Sequence, residues 1–220
     1  MQLILDTANT TAIKELNELL TVAGVTTNPT IITKSGKPFE TAIQDIIACL
    51  APEQKLFVQA VSTDCDGIVE EAKYIASLKE NAYVKIPVTH EGMKAIKKVH
   101  AMGIGILATA IYSADQGLMA AMNGADYLAP YVNRMDNYGD GVGQVIDLIQ
   151  MLKIYDSPTQ IIAASFKNTR QVHELMLAGI HCVTIPEDIA YKLIDHPATD
   201  IAVDEFTENW QKAYGRNTLR

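Results

Sequence analysis

The sequence has few cysteines and only short hydrophobic segments. Its three cysteines, Cys49, Cys65 and Cys182, form no CxxC pair, and an odd number of thiols is typical of a reducing compartment rather than of a disulfide framework. No apolar run approaches the ~18 residues that would span a bilayer. The first residues, Met-Gln-Leu-Ile-Leu-Asp, lack the basic and apolar regions of a secretion signal. We therefore expect a cytoplasmic protein without a membrane segment.

The motifs of metal, triad and nucleotide chemistry are also missing. The five histidines show no HxH, HExxH or His–Cys spacing, so the sequence predicts neither a metal site nor a cofactor. There is no GxSxG elbow, and Asp6-Thr-Ala-Asn-Thr is not the glycine-rich phosphate loop that an open doubly wound sheet would need. The formal net charge of -8, with scattered lysines and arginines, argues against a nucleic-acid-binding surface.

The chain does contain one repeating pattern, in which a short apolar run ends in a polar residue and a segment with helical periodicity follows. The predicted strands are 2–6, 23–27, 55–61, 81–88, 105–110, 126–132, 160–165 and 182–185. The predicted helices are 10–20, 38–50, 64–80, 91–102, 113–122, 143–154, 169–177, 188–195 and about 198–214. Eight strands alternating with helices, with no linker between them, predict a single-domain (β/α)₈ TIM barrel over residues 1–220 with an extra C-terminal helix over 198–220.

One lysine lies inside the fourth predicted strand. The segment Asn81-Ala-Tyr-Val-Lys-Ile-Pro-Val88 is apolar almost throughout, and strand parity places Tyr83, Lys85 and Pro87 on one face. Burial of an ammonium group is costly and lowers its pKa, which yields the neutral amine that condenses with a carbonyl. The alternative is a lysine on a solvated strand face, or one that pairs with a carboxylate.

Polar residues end seven of the predicted strands. Because TIM barrels carry their active sites at the C-terminal ends of the strands, these residues are the candidate site: Asp6, Thr26 with Asn28, Gln59, Lys85, Thr109, Tyr131 with Arg134, and Ser165. Parity puts Phe57 with Gln59, Leu107 with Thr109, Tyr127 with Tyr131, and Ala163 with Ser165 on the same face. Packing alone does not require this pattern, which favours Lys85 as an amine nucleophile.

Several of these residues have other interpretations. Asp6 could cap the first helix or pair with Lys85, and Asn28-Pro29 could form only a turn. Tyr131 could be a core aromatic or an acid/base. Arg134 could be a surface charge or could hold a phosphate group through its guanidinium fork.

Five segments span nearly the whole chain and form one ordered set: Leu5-Asp-Thr-Ala-Asn9, Gly24-Val-Thr-Thr-Asn-Pro-Thr30, Val84-Lys-Ile-Pro-Val-Thr89, Ala129-Pro-Tyr-Val-Asn-Arg134 and Ala163-Ala-Ser-Phe-Lys167. Together they resemble the small transaldolase/fructose-6-phosphate aldolase family. The resemblance implies a (β/α)₈ barrel that acts through a Schiff-base lysine without a metal. By this resemblance, Lys85 is the Schiff-base lysine.

The resemblance also implies roles for the other candidates. Asp6 and Asn28, with Thr26 and Thr27 beside them, match residues that orient substrate hydroxyls and assist proton transfer. Arg134 and Ser165 match the groups that hold a sugar phosphate, and Thr109 matches a residue that helps to position a catalytic water.

Two positions divide this family. Its transaldolases resemble one another in a glutamate on the third strand and a phenylalanine on the sixth, whereas this chain has Gln59 and Tyr131, as the fructose-6-phosphate aldolases do. The implied reaction is reversible cleavage of fructose 6-phosphate to dihydroxyacetone and glyceraldehyde 3-phosphate. The alternative is a transaldolase that passes a dihydroxyacetone unit between sugar phosphates. A non-catalytic sugar-phosphate-binding barrel is a third hypothesis.

The last predicted helix carries an aromatic stripe. Phe206, Trp210 and Tyr214 follow one another at intervals of four residues, which places them on one side of a helix. The stripe could pack on its own barrel. The family resemblance implies instead a homo-oligomer, of five subunits or ten, in which the C-terminal helix contacts a neighbouring subunit.

Overall fold

The computed structural model describes all residues from Met1 to Arg220, and its centre is a closed barrel of eight parallel strands in the order β1 to β8. The strands are β1 Gln2–Asp6, β2 Val22–Thr26, β3 Lys55–Gln59, β4 Ala82–Pro87, β5 Ile106–Ile111, β6 Tyr127–Pro130, β7 Gln160–Ala163 and β8 Cys182–Ile185. The predicted (β/α)₈ barrel is thereby confirmed.

Eleven helices surround or extend the barrel. They are α1 Thr10–Leu19, α2 Pro29–Lys34, α3 Phe39–Ile47, α4 Cys65–Leu78, α5 His90–Ala101, α6 Ala114–Met122, α7 Val132–Asp136, α8 Gly141–Ile154, α9 Thr169–Leu177, α10 Glu187–Lys192 and α11 Pro197–Tyr214. Side-chain caps start most of them; Thr89, for example, accepts a hydrogen bond from the backbone N–H of Gly92 at the start of α5.

Two of these helices were not predicted, and three predicted strands run two residues past their observed C-terminal ends. The short helices α2 and α7 follow directly on strands whose ends carry candidate site residues. The strands predicted over 55–61, 126–132 and 160–165 end instead at Gln59, Pro130 and Ala163. After β3, for example, the backbone N–H groups of Val61 and Ser62 donate to the Glu71 carboxylate and leave the ladder.

The core has two layers, one inside the barrel and one between the barrel and the helices. The inner cluster consists of Ile4, Phe57, Leu107, Tyr127, Ala129, Ile162, Ala164 and Cys182. Alternate strand residues, such as Val84, Ile86 and Ala163, belong to the outer cluster. The predicted inward face is therefore correct for most strands but wrong for β7, in which Ala163 faces the helices and Ile162 and Ala164 face inward.

A cluster of three aromatic side chains fills the inside of the barrel below Lys85. Phe57 stacks on Tyr83 with ring centroids 5.0 Å apart, and Tyr127 meets both rings edge-on at 5.6 and 5.3 Å. Such offset and edge-on contacts are the favoured aromatic geometries. They place an apolar floor two residues before Lys85 on the same strand face.

Helix α11 stands apart from this packing. None of its residues is buried, and Phe206 is 67% exposed. Trp210 contacts Tyr214 within the helix, with ring centroids 4.4 Å apart. The interpretation in which the aromatic stripe packs on its own barrel is therefore wrong. None of the helices is long and apolar enough to cross a membrane.

Candidate active site

Lys85 lies inside the barrel, at the level where β4 pairs with Gln59 of β3 and Leu107 of β5. The residue is only 4% exposed. Its Nζ donates to the backbone carbonyl of Thr27 at 2.7 Å. Burial lowers the pKa of the amine, and the negative charge of Asp6 opposes that shift only in part. The interpretation of Lys85 as a solvated surface lysine is wrong.

Asp6 ends β1 and faces the same space. Its Oδ1 accepts a hydrogen bond of 2.7 Å from the Thr26 hydroxyl, while Oδ2 has no partner within the chain and stays accessible to solvent. Asp6 does not cap α1, because Asn9 fills that role. No salt bridge joins Asp6 to Lys85 either, so its carboxylate acts on the amine through space.

The segment after β2 brings two predicted residues to the rim. Thr27 is fully buried, and its hydroxyl donates to the Phe57 carbonyl at 3.2 Å. The contribution of Thr27 to the site is therefore its carbonyl rather than its hydroxyl. Asn28 does not form a turn but caps α2, with Oδ1 accepting from the backbone N–H of Ile31 at 3.0 Å. Its Nδ2 makes no bond within the chain and can donate to a ligand.

Thr109 and Tyr131 are joined on the opposite side of the barrel mouth. The Thr109 hydroxyl is fully buried and donates to the Tyr131 hydroxyl at 3.1 Å. Because the Tyr131 oxygen accepts this bond, its own proton remains free to be donated elsewhere.

Gln59 presents a buried oxygen without a partner. Its Oε1 is the one buried side-chain nitrogen or oxygen in the chain that makes no hydrogen bond. Leaving such an acceptor unsatisfied costs about 1–3 kcal/mol. An orphaned acceptor beside a buried lysine is therefore well explained by a water or substrate donor at that position.

Arg134 extends from α7 over the site. Its guanidinium carbon lies 4.8 Å from the centroid of the Tyr131 ring, and its Nη1 donates to the Tyr112 hydroxyl at 3.4 Å. This hydrogen bond raises the Arg134 pKa, and the charge of Asp6 adds to the effect. Arg134 makes no salt bridge, so its charge is available to an anion. Tyr112 was not predicted, because it lies beyond the fifth predicted strand.

Ser165 reaches the rim through its backbone conformation. It has φ +61°, in the left-handed region that serine rarely adopts. Its carbonyl accepts from the backbone N–H of Asn133 at 2.9 Å, which ties it to the helix that carries Arg134. The same left-handed region occurs at Ala110, φ +56°, directly after Thr109. Strained residues of this kind cluster at functional sites.

A second residue of the site, besides Tyr112, was missed by the sequence analysis. Thr184, in the middle of β8, is 2% exposed, and its hydroxyl oxygen lies 2.6 Å from that of Thr26. Its position in the run Cys-Val-Thr-Ile gave no signal, because threonine is a common strand residue. No group of three or more His, Cys, Asp or Glu side chains is arranged to hold a metal ion.

Comparison with known proteins identifies relatives at two levels. The profile of the family described as Transaldolase/Fructose-6-phosphate aldolase matches residues 3–218. A solved structure described as "Native KDPGal structure" aligns with a TM-score of 0.58 at 15% identity, covering 86% of this chain and 84% of that one. A designed protein cage, cube-shaped and built by fusing symmetric oligomeric domains, aligns with a TM-score of 0.61 at 13% identity, covering 97% and 78%. At these identities the two structures support the barrel fold alone.

Proposed function

This chain belongs to the transaldolase/fructose-6-phosphate aldolase family, and we propose that it is a class I aldolase, an aldehyde-lyase that reversibly cleaves fructose 6-phosphate to dihydroxyacetone and glyceraldehyde 3-phosphate. The observation that carries this proposal is a buried amine, Lys85, which lies next to the unsatisfied amide oxygen of Gln59 and is influenced by the charge of Asp6. Burial lowers the pKa of the Lys85 amine, which favours the neutral, nucleophilic form.

The first step forms a covalent bond between Lys85 and the substrate. The neutral amine attacks the C2 carbonyl carbon of fructose 6-phosphate, and loss of water together with uptake of one proton from solvent leaves a protonated imine. That iminium keeps one N–H, and the Thr27 carbonyl, already 2.7 Å from Nζ, is placed to accept it. A hydrogen bond from a charged donor is worth about 1.5–3 kcal/mol, so this carbonyl favours the charged intermediate over the free amine.

Cleavage of the C3–C4 bond then requires a base at the C4 hydroxyl. Asp6 has a free Oδ2, while Oδ1 is fixed by Thr26. When the C4 hydroxyl gives up its proton, the electron pair of the C3–C4 bond moves into the iminium. Glyceraldehyde 3-phosphate is released, and the dihydroxyacetone unit stays on Lys85 as a neutral enamine.

Release of dihydroxyacetone requires a proton on carbon and then water. Tyr131 accepts from Thr109 and so keeps its own proton to give to C3 of the enamine. The resulting iminium is hydrolysed by a water for which the unpartnered Oε1 of Gln59 is a ready acceptor. Hydrolysis returns the free amine of Lys85 and releases one proton, which restores the Tyr131 hydroxyl, while Asp6 passes to solvent the proton that it took from the C4 hydroxyl.

The phosphate group would lie at the opposite end of the substrate from the imine. Arg134 is exposed and unpaired, and it offers a planar set of donors that matches a phosphate. Ser165 adds a hydroxyl that makes no other hydrogen bond. The two residues are tied together through Asn133, so they form one phosphate-binding corner.

A transaldolase is the alternative reaction for the same lysine. It would hold the enamine until a second aldose arrives. A sixth-strand residue that cannot protonate the enamine carbon favours this reaction, because the dihydroxyacetone unit is then not released early. Tyr131 carries a free proton at that position, and this favours the aldolase. A barrel that only binds sugar phosphates would have no use for a desolvated amine, whose burial is costly.

A chemical trap tests the proposed mechanism. Borohydride reduction in the presence of dihydroxyacetone is expected to add a stable three-carbon adduct to Lys85, located by peptide mass. Lys55, which lies on β3 near the other end of the barrel, is the internal control and is expected to stay unmodified. The absence of an adduct, or an adduct at another lysine, would exclude the Schiff-base mechanism.

We further propose a cytoplasmic homo-oligomer in which α11, within residues 198–220, contacts a neighbouring subunit. Three free thiols fit a reducing compartment. Helix α11 buries none of its own residues and exposes Ile201, Val203 and Phe206 at 54% or more, and such a surface is usually covered by a partner. Sedimentation of the wild type and of Phe206→Ser is expected to show a pentamer or decamer that dissociates in the variant; a monomeric wild type would exclude this assembly.

A further inference from the structure

We propose that Thr184 is a positioning residue that orients the carboxylate of Asp6 through the hydroxyl of Thr26. This inference rests on the proposed function, because it assigns Asp6 a role in proton transfer. It adds a residue from β8, a strand that otherwise contributes no side chain to the mechanism.

The direction of the hydrogen bonds in this chain of three residues follows from counting protons. The Thr26 hydroxyl has one proton, and it donates that proton to Asp6 Oδ1 at 2.7 Å. In the contact of 2.6 Å between the two threonine hydroxyls, Thr26 must therefore be the acceptor and Thr184 the donor. Each donor polarises the next, so the bond that reaches Asp6 is stronger than that of an isolated threonine.

The positions of the three residues explain why this order is fixed. Asp6 pairs with Thr26 across β1 and β2, whereas Thr184 pairs with Ile4, two residues earlier on β1. Thr184 therefore supports Thr26 from deeper in the barrel. Both threonines are buried, at 0% and 2% exposure, so water does not compete for their hydroxyl groups.

The end of β8 also holds the loop that follows Asp6. The Glu187 carboxylate accepts from the Thr7 hydroxyl at 2.9 Å and from Asn9 Nδ2 at 3.3 Å. Backbone and side chain of the Asp6 segment are thus both anchored on β8 and the start of α10. The consequence is that Oδ1 is held by Thr26, while Oδ2 keeps no partner within the chain.

A double-mutant cycle separates this role from simple packing. Thr184→Val keeps the shape but removes the donor, and we expect kcat for fructose 6-phosphate cleavage to fall about tenfold, the effect of one lost hydrogen bond, with KM changed less than about twofold. Thr184→Ser restores the hydroxyl and is expected to restore kcat. In an Asp6→Ala background, Thr184→Val should have no further effect, because nothing remains to be oriented.

Thr159→Val is the matched control. Thr159 is a buried threonine whose hydroxyl donates to the Ala125 carbonyl at 2.8 Å, away from the site. Its loss is expected to lower the melting temperature without changing kcat. If Thr184→Val behaves like this control, or if its effect on kcat is as large in the Asp6→Ala background, the proposal is overturned. A wild type without cleavage activity would overturn the proposed function and this inference together. An active wild type whose kcat is unchanged by Thr184→Val would overturn the inference alone.

Discussion

Replacing Lys85 with methionine should abolish adduct formation and at the same time make the barrel more stable. Methionine has a similar length, and it fills a site in which the lysine is 4% exposed. The amine is placed against an apolar floor, and burial lowers its pKa. The protein therefore holds its nucleophile in an environment that disfavours the charged form, and that cost disappears in the variant.

The magnitude follows from two opposing contributions. Replacing a buried ion pair by apolar residues of similar volume is often neutral or stabilises proteins by about 1–4 kcal/mol, and we apply the middle of that range to Lys85, whose burial is not offset by a salt bridge. The variant also loses the hydrogen bond from Nζ to the Thr27 carbonyl, which is worth about 1 kcal/mol. A net gain of roughly 1–2 kcal/mol is expected, which corresponds to a rise in melting temperature of about 2–8 °C for a chain of this size.

The lowered pKa of Lys85 also predicts how the stability difference between the wild type and Lys85→Met changes with pH. Between the lowered pKa of Lys85 in the folded protein and its reference value of 10.5, the unfolded chain binds a proton that the folded protein does not. The free energy of unfolding of the wild type therefore rises with pH through that window. Lys85→Met lacks this contribution, so its advantage should be largest on the acid side and shrink as the pH approaches 10.5.

Thermal denaturation of both proteins across this pH range is the assay, with Lys55→Met as the control. Lys55 is only partly buried and donates to Gln2 Oε1 at 3.3 Å, so its replacement is expected to bring no gain. A Lys85→Met variant that melts below the wild type at neutral pH, or a difference that does not depend on pH, would refute the reasoning about burial.

Three further predictions concern the residues around Lys85. Tyr131→Phe should lower kcat for cleavage by about 10²-fold or more, the usual contribution of a general acid, while borohydride still traps the adduct at Lys85; unchanged cleavage kinetics would contradict the assigned proton donor. Arg134→Met should raise KM for fructose 6-phosphate by about tenfold or more, the cost of a charge-assisted bond, and should leave KM for unphosphorylated fructose unchanged, so a similar loss for both sugars would argue against phosphate binding. Ala110→Gly should raise the melting temperature, because relief of the left-handed conformation, φ +56°, outweighs the added flexibility by about 0.5–1 kcal/mol; a lower melting temperature would contradict the strain.

The barrel fold, and the inward strand face that carries Lys85, could be predicted from the sequence. Period-two alternation in β3 to β6 determines which side chains point inward, and Phe57, Leu107 and Tyr127 all follow it. Ser165 is different, since its left-handed φ interrupts the alternation after β7, and a serine carries no signal for that conformation.

The remaining misses also have physical causes. Helices α2 and α7 have six and five residues, too few for a helical period to show in the sequence. Thr184 is an ordinary strand residue until the closure of the barrel places it 2.6 Å from Thr26, more than 150 positions away along the chain.

The most direct test of the proposed reaction is incubation of the pure protein with fructose 6-phosphate, with and without erythrose 4-phosphate, followed by assay of free dihydroxyacetone and sedoheptulose 7-phosphate. We predict release of dihydroxyacetone without any acceptor, because Tyr131 keeps a proton for the enamine and Gln59 keeps an acceptor for water. Formation of sedoheptulose 7-phosphate only when the acceptor is present, with no free dihydroxyacetone, would contradict the aldolase assignment and the roles of these two residues.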